Sequence, residues 1–170
     1  MRGTRLASMA AHVLGAWSNA MYQRILVPVD GSGCADRGLS EAMALARLTG
    51  ARIRLVHVIE EPLVAIGADM AAGAAEDLVT IARQAARRIL ADATEKVRRT
   101  GIQASDALLD SFDGRLCDLV VGAARTWSAD LVVIGTHGRR GVSRLLLGSD
   151  AEQILRLSPA PVLLTRSALR

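Results

Sequence analysis

Aromatic side chains are nearly missing from this chain, with one Phe, one Tyr and two Trp among 170 residues. Any core must then be built from Ala, Val, Leu and Ile, which dominate a hydrophobic content of 51% and suit helices lying close on a buried sheet. The same shortage weighs against single-stranded nucleic acid, whose bases stack on aromatic platforms. Charge of one sign is not concentrated either. The net charge is +4, but 21 Lys and Arg are interspersed with 17 Asp and Glu, the pattern of a solvated surface rather than a nucleic-acid footprint. Cysteine is scarce: Cys34 and Cys117 stand far apart with no C-x-x-C pair, which carries no zinc or redox signature and fits a reducing, cytoplasmic compartment. No apolar run reaches the ~18 residues of a membrane span, so no membrane partner is expected.

The length suits one domain with a sizeable core, and no internal repeat or domain-sized linker divides it. Residues 1–20 differ from the rest. They carry Arg2 and Arg5, no acid, and a mildly apolar stretch from Leu6 to Trp17, with Ser18 and Ala20 at small-residue cleavage positions. That is the outline of a weak signal peptide. His12 interrupts it, and Met21 stands just before the first strand, so the segment reads as an unstructured extension or an over-long start, and residues 21–170 as the domain.

Short aliphatic runs alternate with helical periodicity. Arg24 to Asp30 reads as the first strand, broken by Gly31, Ser32 and Gly33, and Leu39, Ala42, Met43 and Ala46 mark a helix from about Ala35 to Leu48. Ile53 to Ile59 is a second strand, apolar on both faces as buried parallel strands are. After a loop from Glu60 to Ala74 comes a long helix, about Ala75 to Thr100, with Leu78, Ala82, Ala85, Ile89, Ala93 and Val97 as its buried stripe. Glu76 and Asp77 fall in its first turn and Lys96, Arg98 and Arg99 in its last. A strand from about Ile102 to Leu109 follows, then a helix capped by Asp113 and running to about Trp127, with Leu116, Leu119, Val120 and Ala123 inward. Leu131 to Gly135 is the clearest strand, Ser149 to Leu157 a short helix, and Pro161 to Thr165 the last strand. Such alternation predicts an α/β fold: an open five-stranded parallel sheet with right-handed crossovers and helices on both faces, Rossmann-like in architecture.

In a sheet of this kind ligands collect outside the carboxyl ends of the strands, where strand order reverses. Two loops at such ends are informative: Asp30-Gly31-Ser32-Gly33, and the segment from Gly135 through Gly138 and Gly141 to Gly148 and Ser149. Its glycines let backbone approach a ligand closely. It ends where a helix begins, and free N–H groups and the helix dipole there favour an anion. A phosphate is the expected guest. The familiar phosphate and catalytic signatures are absent: no G-x-x-x-x-G-K-[ST], no glycine three positions after Gly33 to complete G-x-G-x-x-G, no G-x-S-x-G and no H-E-x-x-H.

Gly135, Gly138, Gly148 and Ser149 match G-x2-G-x9-G-[ST] without a gap. With the opening Arg24 to Ser32, the second-strand Leu55-Val56-His57-Val58 and the closing Pro159 to Arg166, the chain resembles the universal stress protein family, in its ATP-binding subgroup, from about Met21 to Arg166. The resemblance implies strand order 3-2-1-4-5 and a regulatory, stress-response homodimer that pairs its last strands through Ala160 to Arg166. It implies ATP as ligand, with Mg2+ or Mn2+ bridging the phosphates. Asp30 would lie near the ribose, and the backbone of Val58 against adenine, with Pro28 and Val29 lining the base pocket. Gly135, Gly138, Gly148 and Ser149 would form the phosphate loop, beside His137, Arg139 and Asp150. No metal ligand or catalytic residue is implied, and hydrolysis would be weak at most.

Two positions depart from the family pattern. Asp150 replaces a small or aliphatic neutral residue beside the phosphates, and Ala35 replaces a hydroxyl residue. A carboxylate favours a bare helix N-terminus but repels a triphosphate. Plainer roles stand beside the functional ones. Asp30 could simply accept backbone hydrogen bonds, His57 is best read as a packed core histidine, and His137, Arg139, Arg140 and Arg144 could be solvated loop residues. Besides a nucleotide-binding regulator, the sequence leaves open a slow ATPase and a dimeric interaction module that no longer binds nucleotide.

Overall fold

The computed structural model describes residues 21–59, 72–110, 114–136 and 148–166, and side chains within these from Asp77 onward in the long helix. Nine elements alternate along it: β1 (Arg24–Pro28), α1 (Gly33–Thr49), β2 (Arg52–Ile59), α2 (Ala72–Arg98), β3 (Ala104–Asp110), α3 (Leu116–Thr126), β4 (Leu131–Gly135), α4 (Ser149–Leu157) and β5 (Val162–Thr165). The sheet order is β3-β2-β1-β4-β5 and every neighbouring pair is parallel. The expected α/β architecture and strand order are those observed.

Alternation along each strand divides the core in two. Ile25, Val27, Ile53, Leu55, Leu131 and Val133 face α1 and α2, where Leu39, Ala42, Leu90 and Val97 meet them. Leu26, Val56, Val132 and Ile134 face α3 and α4, against Cys117, Val120, Ala124, Ala151 and Ile154. Among the described residues no aromatic side chain is fully buried, and both layers are built mainly of aliphatic residues and alanine. Among the described residues no helix is long and apolar enough to cross a membrane.

Several expected details move. The long helix begins at Ala72, which draws Ala72 to Ala74 out of the expected loop and leaves no acid in the first turn, so Glu76 and Asp77 lie deeper in the helix than expected; Lys96 and Arg98 do occupy its last turn. Its buried stripe runs through Ala86, Leu90, Thr94 and Val97, whereas Ala85 is exposed. One residue on a helix is a rotation of about 100°, enough to turn a side chain from core to solvent. The third helix starts after Arg115, which caps it without a side-chain bond; Asp113, the expected cap, lies outside the described residues. It buries Cys117, Val120, Val121 and Ala124, while Leu116, Leu119 and Ala123 are half-buried at its flank. The first helix starts earlier than expected, at Gly33, because the Ser32 hydroxyl accepts the Ala35 N–H at 3.2 Å. It ends at Gly50, whose left-handed φ of 74° suits glycine.

The amino end of β1 is pinned by a single side chain. The Asp130 carboxylate accepts the backbone N–H of Gln23 at 2.7 Å and of Arg24 at 2.9 Å. Hydrogen bonds to a charged acceptor exceed neutral ones in strength. D130A is expected to destabilise the protein by about 2 kcal/mol, a fall of roughly 4–8 °C in Tm by differential scanning calorimetry.

Candidate functional site

β1 is flanked by β2 on one side and β4 on the other, so the strand order reverses there. Residue pairing between β1 and β4 is confined to Ile25 with Leu131 and Leu26 with Val132, although both strands run on towards their carboxyl ends. That end of the β1–β4 boundary is the crevice in which an open parallel sheet holds ligands.

On the β1 side, Pro28 ends the strand and Val29 and Asp30 follow it. The Val29 side chain is buried in the layer beneath α1 and α2, and its main chain is engaged at both ends: its N–H donates to the Val56 carbonyl at 2.8 Å, and its carbonyl lies 2.6 Å from His57 Nδ1. His57 is thus the packed core histidine expected, 6% exposed. Val58 points to the opposite layer. The Val29 and Val58 side chains therefore lie in opposite layers and share no side-chain pocket. Asp30 accepts the Ser32 N–H at 2.9 Å, an Asx turn across Gly31, which adopts a φ of 77°.

On the β4 side the packing is tighter. A Cβ built on Gly135 would stand 2.9 Å from the Cys34 carbonyl carbon and 2.9 Å from its Cβ. Glycine is needed here because the main chain entering α1 rests directly on the end of β4. Beyond it, the Thr136 N–H donates to the Thr165 carbonyl and the Thr136 carbonyl accepts the Gly148 N–H, each at 2.9 Å. Thr136 is 6% exposed, and it ties together the ends of β4 and β5 and the start of α4. A Cβ on Gly148 would lie 3.3 Å from the Thr136 carbonyl oxygen, so this glycine allows the close return of the chain.

The two described ends of the glycine segment, Gly135 and Gly148, are therefore brought together, and α4 points its amino end at the carboxyl edge of the sheet. Since the Gly148 N–H is taken, the first-turn donors without intrahelical acceptors belong to Ser149, Asp150 and Ala151. Ser149 and Asp150 are exposed. His137, Gly138 and Arg139, with Arg140 and Arg144, lie outside the described residues. Thr136, Thr165 and Cys34 join this framework through main-chain packing and hydrogen bonding, which residue type does not signal. Cys117 is fully buried in α3, its Sγ 3.4 Å from Gln153 Oε1, and burial pushes its thiol pKa up. Among the described residues no three His, Cys, Asp or Glu side chains form a metal-binding group.

The model of the universal stress protein family matches residues 21–166. The chain belongs to the universal stress protein family. A universal stress protein of Thermus aquaticus, encoded beside a QAH/OAS sulfhydrylase gene, is 34% identical over 146 residues, 86% of this chain and all of the relative. Among solved structures, the MJ0577 protein of Methanocaldococcus jannaschii superimposes with a TM-score of 0.78 at 24% identity, covering 89% of this chain and all of that one; at that identity the likeness is one of fold. A universal stress protein of Archaeoglobus fulgidus, solved in complex with dAMP, matches with a TM-score of 0.60 at 26% identity, over 85% of this chain and 98% of that one. The universal stress protein fold and the glycine-bearing crevice are thus found in one chain.

Proposed function

We propose that this universal stress protein is a cytoplasmic regulatory protein that binds ATP, with Mg2+ or Mn2+, in the crevice between the carboxyl ends of β1 and β4, and acts as a homodimer. The observation that carries the reading is the gapless Gly135-x2-Gly138-x9-Gly148-Ser149 spacing in the sequence, whose described ends Gly135 and Gly148 meet beside the switch point of the sheet. Two further facts support it: main chain packs against Gly135 too closely for a side chain and approaches Gly148 tightly, and the donors at the start of α4 suit an anion. The relative complexed with dAMP supports an adenine nucleotide as the class of guest.

The residues present fit such a ligand. The N–H groups of Ser149 to Ala151 and the Ser149 hydroxyl would hold phosphate oxygens, with His137, Gly138 and Arg139 as the other loop contacts. Asp30 would accept from the ribose hydroxyls, and Pro28, Val29 and the Val58 backbone would border the base. Bound phosphates would bring the divalent ion, since the described residues form no metal cluster of their own. The sequence carries none of the familiar catalytic signatures, so this reading assigns the site to binding and orienting the nucleotide, with any hydrolysis slow. The dimer would form through Ala160 to Arg166: β5 is an edge strand, and Leu163 on it is exposed, as are Leu155 and Leu157 on α4.

Purified protein heated with 1 mM ATP and Mg2+ or Mn2+ should melt several degrees higher than without, about 3 kcal/mol of stabilisation if the Kd is one hundredth of the ligand concentration. No shift at millimolar ATP with either ion refutes the nucleotide reading.

A further inference from the structure

At the edge of the sheet opposite the crevice, three arginines crowd one indole. Arg24 opens β1, and Arg52 and Arg54 begin β2; Arg24 stands in register with Arg52, and Leu26 with Arg54. Strand alternation sends all three side chains to the face covered by α3 and α4. Their guanidinium carbons lie 5.6, 6.0 and 5.8 Å from the ring centroid of Trp127, the residue that closes α3. Cation–π attraction holds a guanidinium over a ring. It does not cancel the mutual repulsion of three like charges gathered round a single ring, and the Asp130 carboxylate beside Arg24 sets one negative charge against three positive ones. None of the ion pairs among the described residues includes Arg24, Arg52 or Arg54. The adjacent Asp130 spends both carboxylate oxygens on backbone N–H groups. The Nε atoms of Arg24 and Arg54 are buried without an acceptor. The carboxyl end of α3 contributes only about half an elementary charge against three.

We infer that this cluster is a second ligand site, for a phosphate group, separate from the nucleotide crevice and independent of whether that crevice binds ATP. Guanidinium forks match phosphate oxygens in pairs, and a dianion set among the terminal nitrogens of three of them offsets the remaining charge excess. The Trp127 ring forms the floor on which the forks are stacked, which limits the side-chain freedom lost on binding. Free orthophosphate and a phosphate monoester share this chemistry.

Trp127 itself reports the event. In the full chain carrying W17F, Trp127 is the remaining indole, and its emission is titrated with sodium orthophosphate and with glycerol 2-phosphate at constant ionic strength, against sodium chloride. A saturable change with half-saturation at or below a few millimolar is expected, and R52Q and R54Q should each raise that concentration at least tenfold. Saturation by both compounds supports a site open to esters; saturation by orthophosphate alone supports one for the free ion. A response equal to that of chloride, or half-saturation unchanged in both variants, overturns the inference. Arg52 is exposed, so R52Q tests the idea even if R54Q does not fold. A purely structural arginine cluster predicts an R52Q deficit in Tm independent of phosphate, and that result also overturns it. Retention of the ATP-induced shift by R52Q keeps the outcome separate from that of the crevice.

Discussion

Replacing Gly135 by valine is expected to cost about 3 kcal/mol of stability, a fall of roughly 6–12 °C in Tm, and to abolish the thermal shift produced by ATP. The reason lies in what the new side chain would meet. Its first carbon alone would stand 2.9 Å from the carbonyl carbon and from the Cβ of Cys34, and 3.0 Å from the Cys34 oxygen. Two of these are main-chain atoms at the start of α1, held by the Ser32 cap below them, so no rotamer change removes the clash. Either α1 lifts from β4 or β4 bends away from α1. Gly38, one turn further along α1, has little slack, since a Cβ there would already lie 3.4 Å from Thr165 Oγ1 and 3.6 Å from the Gly135 nitrogen. Both movements widen the gap between Asp30 and the start of α4. G33A is the matched control: a Cβ on Gly33 meets nothing within 4 Å, so that variant should stay within about 0.5 kcal/mol of the parent. Scanning calorimetry and an ATP titration of the two proteins check the prediction. Equal melting temperatures for G135V and the parent would refute the packing argument.

The Gly135 contact also shows where sequence reading reaches its limit. Buried parallel strands are unbroken aliphatic runs, and that is why β4 could be delimited as Leu131 to Gly135 from the sequence alone. The glycine spacing likewise pointed to the crevice. What made Gly135 necessary is a neighbour far away in the chain, Cys34, whose own side-chain chemistry has no part in the contact. The bonds from Thr136 to Thr165 and to Gly148 are of the same kind, made by main-chain groups that any residue but proline could supply in part. Helix faces were harder to read where composition was uniform. In α2 the stretch Ala82-Arg83-Gln84-Ala85-Ala86 offers adjacent alanines with nearly equal hydrophobicity, so the pattern could not tell Ala85 from Ala86. Thr94, 3% exposed, hid the next step of the stripe behind a polar side chain. The arginines around Trp127 carry no sequence signal for a related reason: two neighbouring strands and a helix end bring them together, and no linear motif links them.

Asp150 should favour the free protein and disfavour a bound triphosphate, and its replacement by valine should separate the two effects. In the free protein the carboxylate sits in the first turn of α4 with Glu152, where a negative charge complements the helix dipole. Losing it should lower the Tm of the free protein slightly, by about 0.5 kcal/mol of stability. Against a bound triphosphate the sign reverses. The same carboxylate then stands at the donor groups that would hold phosphate oxygens, and like charges separated by a few ångströms near a protein surface repel by some kcal/mol before screening. With exposure and physiological salt reducing that, about 1 kcal/mol should remain, a five- to tenfold gain in ATP affinity for D150V. The gain should grow as salt is lowered, because the Debye length rises from about 8 Å at 0.15 M to about 30 Å at 0.01 M. Isothermal titration at two salt concentrations measures it directly. A carboxylate that instead helps hold the divalent ion gives the opposite result, weaker binding by D150V in Mg2+ or Mn2+ and little change without metal. Equal affinity of both proteins at both salt concentrations would mean that Asp150 lies too far from the phosphates to act on them by either route.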